Sequence, residues 1–509
     1  MNALPTSTSF SRLLVGFASE SGNARALAQR LGAELLPHAP QVLPFNDIDV
    51  ASLGHGDVLL AISSSFGDGE PPANGEQFFE TLRQTPMLSG LRYAVFGLGD
   101  TGYPSFCGFT KALDAALSER QAQPLLHRVD ADLGYEQFFQ QWQPVLGQVL
   151  QGNLAAGQDL RLQVTAYGED NAFAAPIDER RRLNSSNPAA WHVQLDIAGS
   201  GMAYRAGDTL HVVPDNDPAL LQALATWYGD PAAVTALQDR ELRLPSKSVL
   251  RELARLGGSE TLKGLLKVSQ KRELDAYLHG LDVLDLLQDH ATPDSVPLDR
   301  LCSILSPRLP RAYSIASHPG DDQVSLCVRE VRYHLRGRER CGTATGSLLH
   351  GTGHARVYCR SNPGFHLPDA ADAPLLMVGT GTGIAPLMGL MQELQAGTRA
   401  RDVHLVFGEK QREHDYLYRE QLQDWHARGL LAGLHTAFSR DGTGKVYVQH
   451  VLQQRADEVR DLLARGGHLY LCGNKRHLEA AVREAIDAIG GEGRWESLRG
   501  EGRTHCELY

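Results

Sequence analysis

The sequence predicts an α/β protein of several domains. A doubly wound parallel sheet comes first, an antiparallel barrel with a helical insertion follows, and a second parallel α/β domain ends the chain. At roughly 150 residues per domain, the 509 residues correspond to about three domains. Buried-type strands near both ends run into Gly- and hydroxyl-rich turns that open helices. Between them, short alternating strands are interrupted at residues 216–300, where Leu recurs at helical spacing.

The composition is typical of a soluble globular enzyme. Hydrophobic residues make up 42% and charged residues 21% of the chain, and no apolar run approaches the ~20 residues that span a bilayer. The first ten residues lack the basic and apolar regions of a secretion signal. Seven Cys without CxxC or His spacing argue for reduced thiols and against a zinc site. We therefore expect a cytoplasmic protein with no membrane partner and no metal.

The charge is negative and unevenly distributed. The formal net charge of −11 disfavours nucleic acid as a partner. Residues 1–150 hold 15 acidic and 8 basic side chains, a net charge of −7. This acidic domain either steers a basic protein partner or serves solubility, and the sequence does not separate the two interpretations.

The first domain opens with a turn that suits a phosphate. The buried-type strand Leu13–Phe17 runs into residues 19–24 and then into an amphipathic helix. Free backbone N–H groups and the positive end of a helix bind anions at such turns. The turn contains neither Gly-Lys-Ser/Thr nor GxGxxG, so a single terminal phosphate, as in FMN, fits better than a dinucleotide.

Two later loops follow strands of the same predicted sheet, at residues 57–63 and 93–96. Loops at the carboxyl ends of parallel strands bind ligands in open α/β sheets. Each loop supplies one aromatic, Phe66 or Tyr103, that could sandwich a flat ring. Both aromatics could instead pack under their loops. Three loops of suitable chemistry on successive strands favour the ligand site.

In the middle of the chain, strands such as Trp191–Ile197 precede the helical insertion and resume at Arg311–Ser314. Arg311 offers a planar fork for a pyrophosphate, Tyr313 a ring to lie on a flavin, and Ser314 a hydroxyl for a flavin nitrogen. Alone, this stretch is better explained by an edge strand with an aromatic and a surface Arg, because short motifs often match by chance. The Gly/Thr turn at residues 342–347 is a second phosphate-type site. The Arg- and His-rich residues 329–340 are better explained as a solvated strand pair than as a docking surface.

The last domain repeats the pattern of strand, Gly-rich turn and helix. The strand Pro374–Val378 leads into residues 379–386, whose glycines let the backbone approach a pyrophosphate. Strands at 403–407, 435–438 and 468–471 supply the α/β context that this motif requires. Residues 439–449 offer an Arg, a Lys and a Tyr, which suit the 2′-phosphate of NADPH, where NAD enzymes place an acid. An ordinary charged turn is the alternative.

In this order the motifs resemble the NADPH-dependent diflavin reductases, in particular the flavoprotein (alpha) subunit of assimilatory sulfite reductase. The resemblance covers residues 11–509. It implies a flavodoxin-like FMN domain at 11–148, a linker at 149–158, an FAD-binding barrel at 159–370 with a helical insertion at about 216–300, and a ferredoxin–NADP reductase-like NADPH-binding domain at 371–509.

The resemblance also assigns residues to each cofactor. The implied FMN site is Ser19, Glu20, Ser21, Gly22, Asn23, Ala24, Ser64, Ser65, Phe66, Gly67, Leu98, Gly99, Asp100, Tyr103, Phe106 and Cys107. The implied FAD site is Arg311, Ala312, Tyr313, Ser314, Cys327, Val328, Arg329, Tyr333, Gly342, Thr343, Ala344, Thr345 and Tyr509. The implied NADPH site is Gly381, Thr382, Gly383, Ser439, Arg440, Lys445, Tyr447, Gln449 and Cys472. The implied catalytic residues are Ser314, Cys472, Glu507 and Tyr509, with Glu507 standing where the family usually has Asp.

The implied activity is electron transfer from NADPH through FAD and FMN to a metalloprotein. The expected acceptor is a haemoprotein, the sirohaem subunit of sulfite reductase. One alternative is a haemoprotein (cytochrome) reductase with the same chemistry and another acceptor. A further alternative is a non-catalytic flavin-binding protein.

Overall fold

The computed structural model describes residues 10–65, 69–100, 105–132, 135–157, 160–162, 167–243, 245–397 and 401–509. The chain divides into two compact units. The first comprises Met1–Gly168, Ser200–Tyr204 and Cys359–Ser361, and the second comprises Glu169–Gly199, Arg205–Tyr358 and Asn362–Tyr509. Within the described ranges, every helix is too short or too polar to cross a membrane.

The first unit is built on one parallel sheet. Its strands are β1 (Arg12–Ala18), β2 (Gln41–Pro44), β3 (Asp57–Ser64), β4 (Arg92–Leu98), β5 (Gln123–Pro124) and β6 (Val129–Ala131). Its helices are α1 (Asn23–Glu34), α2 (Glu76–Gln84), α3 (Gly108–Glu119) and α4 (Tyr135–Leu150). The strand order is β2-β1-β3-β4-β5, with β6 also pairing β4, and all pairs are parallel. This is the doubly wound, flavodoxin-like sheet that the sequence predicts.

Hydrophobic side chains cover both faces of this sheet, which explains why its central strands are apolar throughout. Every residue of β3 except the last is buried. One core contains Leu27 and Leu31 of α1, and the other contains Phe78 and Leu82 of α2. The sheet therefore presents its functional groups where the strands end, in the connecting loops.

The second unit begins with an antiparallel barrel. Its strands are β7 (Phe173–Arg182), β8 (Ala190–Asp196), β9 (Thr209–Val213), β10 (Arg311–Ser314), β11 (Gln323–Arg329) and β14 (His354–Arg360). Between β11 and β14, the strands β12 (Arg332–Leu335) and β13 (Arg338–Cys341) form a separate hairpin. The barrel order is β10-β9-β14-β7-β8-β11, and the β10–β9, β14–β7, β7–β8 and β8–β11 pairs are antiparallel. A bridge between Ile315 and Leu326 joins the two ends of this order.

The predicted helical insertion lies between β9 and β10. It comprises α5 (Pro218–Tyr228), α6 (Ala232–Leu237), α7 (Lys247–Leu256), α8 (Glu260–Leu265), α9 (Lys271–Leu278), α10 (Val283–His290) and α11 (Leu298–Ile304). Its Leu residues form a core of their own. Arg340 of β13, 2% exposed, donates to Asp282 at 2.9 Å and to Asp285 at 2.6 Å and so fastens the β12–β13 hairpin to this insertion.

A second parallel sheet completes this unit. Its strands are β15 (Leu375–Thr380), β16 (Val403–Glu409), β17 (Gly433–Phe438), β18 (His468–Gly473) and β19 (Thr504–Leu508), in the order β17-β16-β15-β18-β19. One helix, α12 (Thr343–His350), lies between β13 and β14. The helices that follow β15 are α13 (Ile384–Ala396), α14 (Arg412–Asp415), α15 (Arg419–Ala427), α16 (Val448–Gln454), α17 (Ala456–Ala464), α18 (Lys475–Gly490) and α19 (Arg494–Gly500). All four strand pairs are parallel, and the edge strand β19 is the C-terminal tail.

Candidate active site

The turn between β1 and α1 has the geometry of a phosphate site. Gly22 has φ 88° and caps α1 without a side-chain hydrogen bond, so the helix keeps its first N–H groups for a ligand. Ser19 Oγ accepts a hydrogen bond from the Gly22 N–H at 2.9 Å, and the Ser19 N–H donates to Asn74 at 3.0 Å. Ser21 and Asn23 are exposed at the rim, whereas Ala24 is buried in the core. These residues fit a terminal phosphate such as that of FMN.

The neighbouring predicted loops are fixed by hydrogen bonds. Glu20 accepts from the Ala73 N–H at 2.8 Å, and Ser65 Oγ, following Ser64, accepts from the Phe109 N–H at 3.1 Å. The Gly99 N–H, between Leu98 and the half-buried Asp100, donates to Ala131 at 2.8 Å. Phe106 and Cys107 are buried, and burial raises the pKa of the Cys107 thiol, which suits a packing role. Phe66, Gly67 and Tyr103 lie outside the described residues.

In the second unit, the fold brings together three residues that are far apart in sequence. Ser314 ends β10, Cys472 lies on β18, and Glu507 lies opposite Cys472 on β19. The Ser314 hydroxyl donates a hydrogen bond to Glu507 Oε1. Asn362 Nδ2 donates to Glu507 Oε2 at 3.4 Å and to the Gly207 carbonyl at 3.1 Å, which orients the carboxyl group. Three of the four predicted catalytic residues therefore lie in one cluster.

Burial in this cluster raises the pKa of both Glu507 and Cys472. Burial raises the pKa of Glu507 to about 7, although the hydrogen bond from Ser314 opposes this shift. Burial also raises the pKa of the Cys472 thiol well above its ordinary value, and the charge of Glu507 acts in the same direction. Glu507 can therefore hold or release a proton near neutral pH, whereas Cys472 stays a neutral thiol.

The C-terminal Tyr509 lies beside the Gly-rich turn after β15. Its main chain is fixed, because its N–H donates to Gly473 at 3.2 Å and its carbonyl accepts from Lys475 at 2.9 Å. Its hydroxyl lies 2.9 Å from Thr382 Oγ1, and the residue is 59% exposed. The main chain of Tyr509 is therefore anchored, while its ring stays largely exposed and contacts Thr382 through the hydroxyl.

Among the predicted FAD residues, Arg311 and Tyr313 lie on β10, and Gly342 and Thr343 lie at the start of α12. Arg311 donates to the Leu309 carbonyl at 2.6 Å and to the buried Glu241 at 3.3 Å, and burial raises the pKa of Tyr313 to about 12. Gly342 caps α12 without a side-chain hydrogen bond, and with Thr343 it lines a cavity of about 470 Å³ that Arg243 also borders. A helix start and an arginine suit a diphosphate. Ala312 is exposed, whereas Ala344 and Thr345 are buried.

Three other predicted FAD residues have structural contacts. Cys327 and Val328 are buried in the barrel. The Tyr333 hydroxyl donates to the Gly280 carbonyl at 2.9 Å and accepts from Arg243 at 3.0 Å, so it joins the β12–β13 hairpin to the helical insertion. Their roles toward FAD stay predictions.

A cavity of about 800 Å³ lies at the carboxyl ends of β15, β16 and β17. The predicted nucleotide residues that line it are Gly381, Thr382, Ser439, Tyr447 and Gln449, together with Tyr509. Gly383 packs the turn against β18, since a Cβ there would lie 2.2 Å from the Cys472 carbonyl oxygen. Arg440 and Lys445 are exposed on the same loop as Ser439, and the Arg440 N–H donates to the Lys410 carbonyl at 2.8 Å.

Sequence reasoning missed Glu409 and Lys410, which also line this cavity. Arg329, predicted for FAD, lies on the cavity wall and forms an ion pair with Glu409. Glu409 Oε2 accepts from the Lys410 N–H at 2.7 Å, and the Glu409 carbonyl accepts from the Ser439 N–H at 3.0 Å. Their position directly after a predicted strand was the available signal, because ligands bind at strand carboxyl ends.

Comparisons with known proteins identify the domains and the family of the chain. The flavodoxin family matches residues 15–142, the FAD binding domain matches 167–243, and the oxidoreductase NAD-binding domain matches 377–484. The sulfite reductase [NADPH] flavoprotein alpha-component of Bacillus subtilis is 34% identical over 92% of this chain and 83% of its own length. The corresponding protein of Serratia proteamaculans is 32% identical over 95% of this chain and 86% of its own length. The chain belongs to the NADPH-dependent diflavin reductase family.

As a diflavin reductase, the chain is an NADPH-dependent flavoprotein oxidoreductase whose cofactors are FMN, FAD and NADPH. The phosphate-type turn of the first unit, the cavity beside Gly342 and Arg243, and the cavity beside Gly381 fit these three groups in the order FMN, FAD and NADPH. Family membership also disfavours the non-catalytic flavin-binding protein as an interpretation.

Proposed function

We propose that this diflavin reductase is the flavoprotein component of an assimilatory sulfite reductase and that it delivers electrons from NADPH to a sirohaem subunit. The observation that carries the proposal is the cluster of Ser314, Cys472 and Glu507. Cys472 lies on β18, which pairs with β15, the strand that leads into the Gly381 turn of the nucleotide cavity. The acceptor is supported by relatives named as sulfite reductase flavoproteins, which this chain matches over 83–86% of their lengths.

The chain's own residues would bind and orient the nucleotide. The turn at Gly381 and Thr382 opens α13, a helix that Gly383 caps without a side-chain hydrogen bond, and so presents N–H groups to the pyrophosphate. Lys410 and Ser439 on the cavity wall, with Arg440 beside them, would hold the 2′-phosphate. Tyr509 would cover the flavin until its contact with Thr382 breaks and its ring swings aside.

The buried cluster would manage protons where hydride arrives. When bound, NADPH supplies hydride, FAD divides it into single electrons, and FMN passes these to the acceptor. Ser314 would present its hydroxyl to the reacting flavin atom. Glu507, whose pKa is raised to about 7 by burial, would exchange a proton with that hydroxyl. The neutral Cys472 thiol would pack beside the nicotinamide.

The acidic first unit would dock on the acceptor. Residues 1–150 carry a net charge of −7, which would steer a basic surface of the haemoprotein toward the FMN edge. Such steering weakens with salt, because charges farther apart than a Debye length of about 8 Å are screened at physiological ionic strength. We therefore expect acceptor reduction to slow with salt more steeply than reduction of a small neutral acceptor.

The experiment that tests the acceptor is NADPH-driven sulfide formation by this protein mixed with the sirohaem subunit from the same source. Sulfide formation at a rate limited by this protein supports the proposal. Brisk reduction of cytochrome c without any sulfide would contradict it and would move the chain to the haemoprotein (cytochrome) reductases. Omission of either protein is the control, since neither should form sulfide alone.

A further inference from the structure

Three metal-ligating side chains meet at the end of the second parallel sheet opposite the nucleotide cavity. His404 lies near the start of β16, His435 near the start of β17, and Glu458 in the first turn of α17. His404 pairs with Gly433, and His435 stands two residues farther along the neighbouring parallel strand. Because side chains alternate along a strand, both imidazoles project from the same face of the sheet.

Their ligand atoms converge on one point. Glu458 Oε1 lies 2.5 Å from His404 Nδ1 and 2.9 Å from His435 Nε2. All three ligand atoms fall within 4.8 Å of one another. A zinc-type ion holds such ligands at about 2.0–2.2 Å, so small side-chain rotations open the cluster enough to admit one.

The surroundings of His404 resemble the second shell of a metal site. Asp402 Oδ1 lies 3.0 Å from His404 Nε2, the nitrogen that faces away from the cluster. Arg465 donates to the other Asp402 oxygen at 2.5 Å and fixes the carboxylate. Histidines that bind metals usually donate their second ring N–H to such a carboxylate, which sets the tautomer and raises their basicity.

Gly433 makes room for this arrangement. A Cβ at Gly433 would lie 2.3 Å from His404 Nδ1, so any larger residue would push the imidazole out of the cluster. The glycine is therefore required by the position of the ring. This constraint is independent of the converging ligand atoms.

We propose that His404 Nδ1, His435 Nε2 and Glu458 Oε1 bind one divalent transition-metal ion of the Zn²⁺ class. Two imidazoles and one carboxylate match the ligand preference of that ion, a water completes the tetrahedron, and Asp402 orients His404. The ion would fasten β16, β17 and α17 to one another, far from the Gly381 turn. The competing explanation is a metal-free network in which His404 is hydrogen-bonded between Asp402 and Glu458.

The test uses the full-length, untagged, flavin-loaded protein, stripped with a chelator and dialysed against Zn²⁺. We expect one bound Zn²⁺ per chain by elemental analysis and a higher Tm than in the stripped protein. His435→Asn and Glu458→Gln should lose the ion and the Tm rise, while Asp402→Asn should weaken Zn²⁺ binding by roughly 10–100-fold. NADPH-to-ferricyanide activity should persist in all three variants, because the cluster lies away from the nucleotide cavity.

Asp457→Asn is the matched control, since Asp457 lies in the same helical turn and is fully exposed. It should bind Zn²⁺ as the unaltered protein does. Co²⁺ should show the absorption of four-coordinate cobalt at wavelengths beyond the flavin bands. The proposal is overturned if no Zn²⁺ binds, if His435→Asn and Glu458→Gln retain it, or if Asp457→Asn loses it equally.

Discussion

Ser314 and Glu507, 193 residues apart, are joined by a hydrogen bond from the serine hydroxyl to the carboxyl group. The contact links the last residue of β10 in the barrel to the edge strand β19 of the nucleotide sheet. It therefore couples the strand that would carry the flavin to the strand that lies beside Cys472. In the proposed function, the position of the proton within this pair would decide whether the serine hydrogen is free to reach the flavin.

The first prediction concerns the pH dependence of flavin reduction. Burial raises the pKa of Glu507 to about 7, so the carboxyl is protonated below that pH and ionised above it. Ionised Glu507 accepts the Ser314 hydrogen, whereas protonated Glu507 leaves it for the flavin. We expect the rate of flavin reduction by NADPH, measured by anaerobic stopped flow, to fall as pH rises through about 7.

Glu507→Gln should remove this inflection because its amide does not titrate. The variant should also change the pH dependence of the unfolding free energy. Native Glu507 holds its proton to a higher pH than the unfolded chain does, so the contribution of Glu507 to the unfolding free energy declines from pH 4.5 to about 7. An identical rate inflection in Glu507→Gln would assign the titration to another group.

The second prediction concerns the ion pair on the cavity wall. Arg329 is largely buried beside Glu409, whose side chain is only 5% exposed. Arg329→Met leaves an uncompensated buried carboxylate, and such losses cost about 3–5 kcal/mol. Chemical denaturation should show this loss, and the double variant Arg329→Met with Glu409→Gln should recover much of it. Equal destabilisation of the single and double variants would show that the pair is not coupled.

The third prediction concerns nucleotide selectivity. Arg440 is exposed beside Lys410 and Ser439, where it can reach a 2′-phosphate. Arg440→Ser should raise the KM for NADPH by at least tenfold and leave that for NADH nearly unchanged, since only NADPH carries the phosphate. Arg428→Ser is the matched control, because Arg428 is exposed on the surface and pairs with Asp424. Equal losses with both nucleotides would remove Arg440 from the phosphate site.

The fourth prediction concerns acid stability. Burial alone would raise the pKa of Asp285, but hydrogen bonds from Arg340, from the Asp282 N–H and from Arg338 hold it well below its ordinary value. A depressed carboxyl pKa contributes stability above about pH 4 and loses it as pH falls further. Arg340→Met should lower the unfolding free energy by about 3–5 kcal/mol at neutral pH.

The variant Asp285→Asn distinguishes acid unfolding caused by protonation of Asp285 from acid unfolding caused by other carboxylates. It should flatten the loss of stability below about pH 4 that urea titrations show for the unaltered protein. A variant whose acid transition coincides with that of the unaltered protein would show that other carboxylates control acid unfolding.

Local patterns predicted much of this fold because strands and turns carry short-range signals. The β1–α1 turn, the insertion between β9 and β10, and the Gly381 turn follow from spacing and residue type. Glu409 was missed because its partner Arg329 lies 80 residues earlier, on another sheet. The cluster of His404, His435 and Glu458 was missed for the same reason, since only the pairing of β16 with β17 and the packing of α17 bring its members together. The spacing of residues along the sequence does not predict such tertiary contacts.

The most direct test of the account is the rate at which NADPH reduces the bound flavin in Ser314→Ala, compared with the unaltered protein under anaerobic conditions. We expect loss of flavin absorbance within one turnover in the unaltered protein and a rate at least tenfold lower in the variant, with flavin content and NADPH affinity preserved. An unchanged rate in Ser314→Ala, with both flavins bound, would contradict the assignment of the Ser314–Cys472–Glu507 cluster as the point of hydride entry.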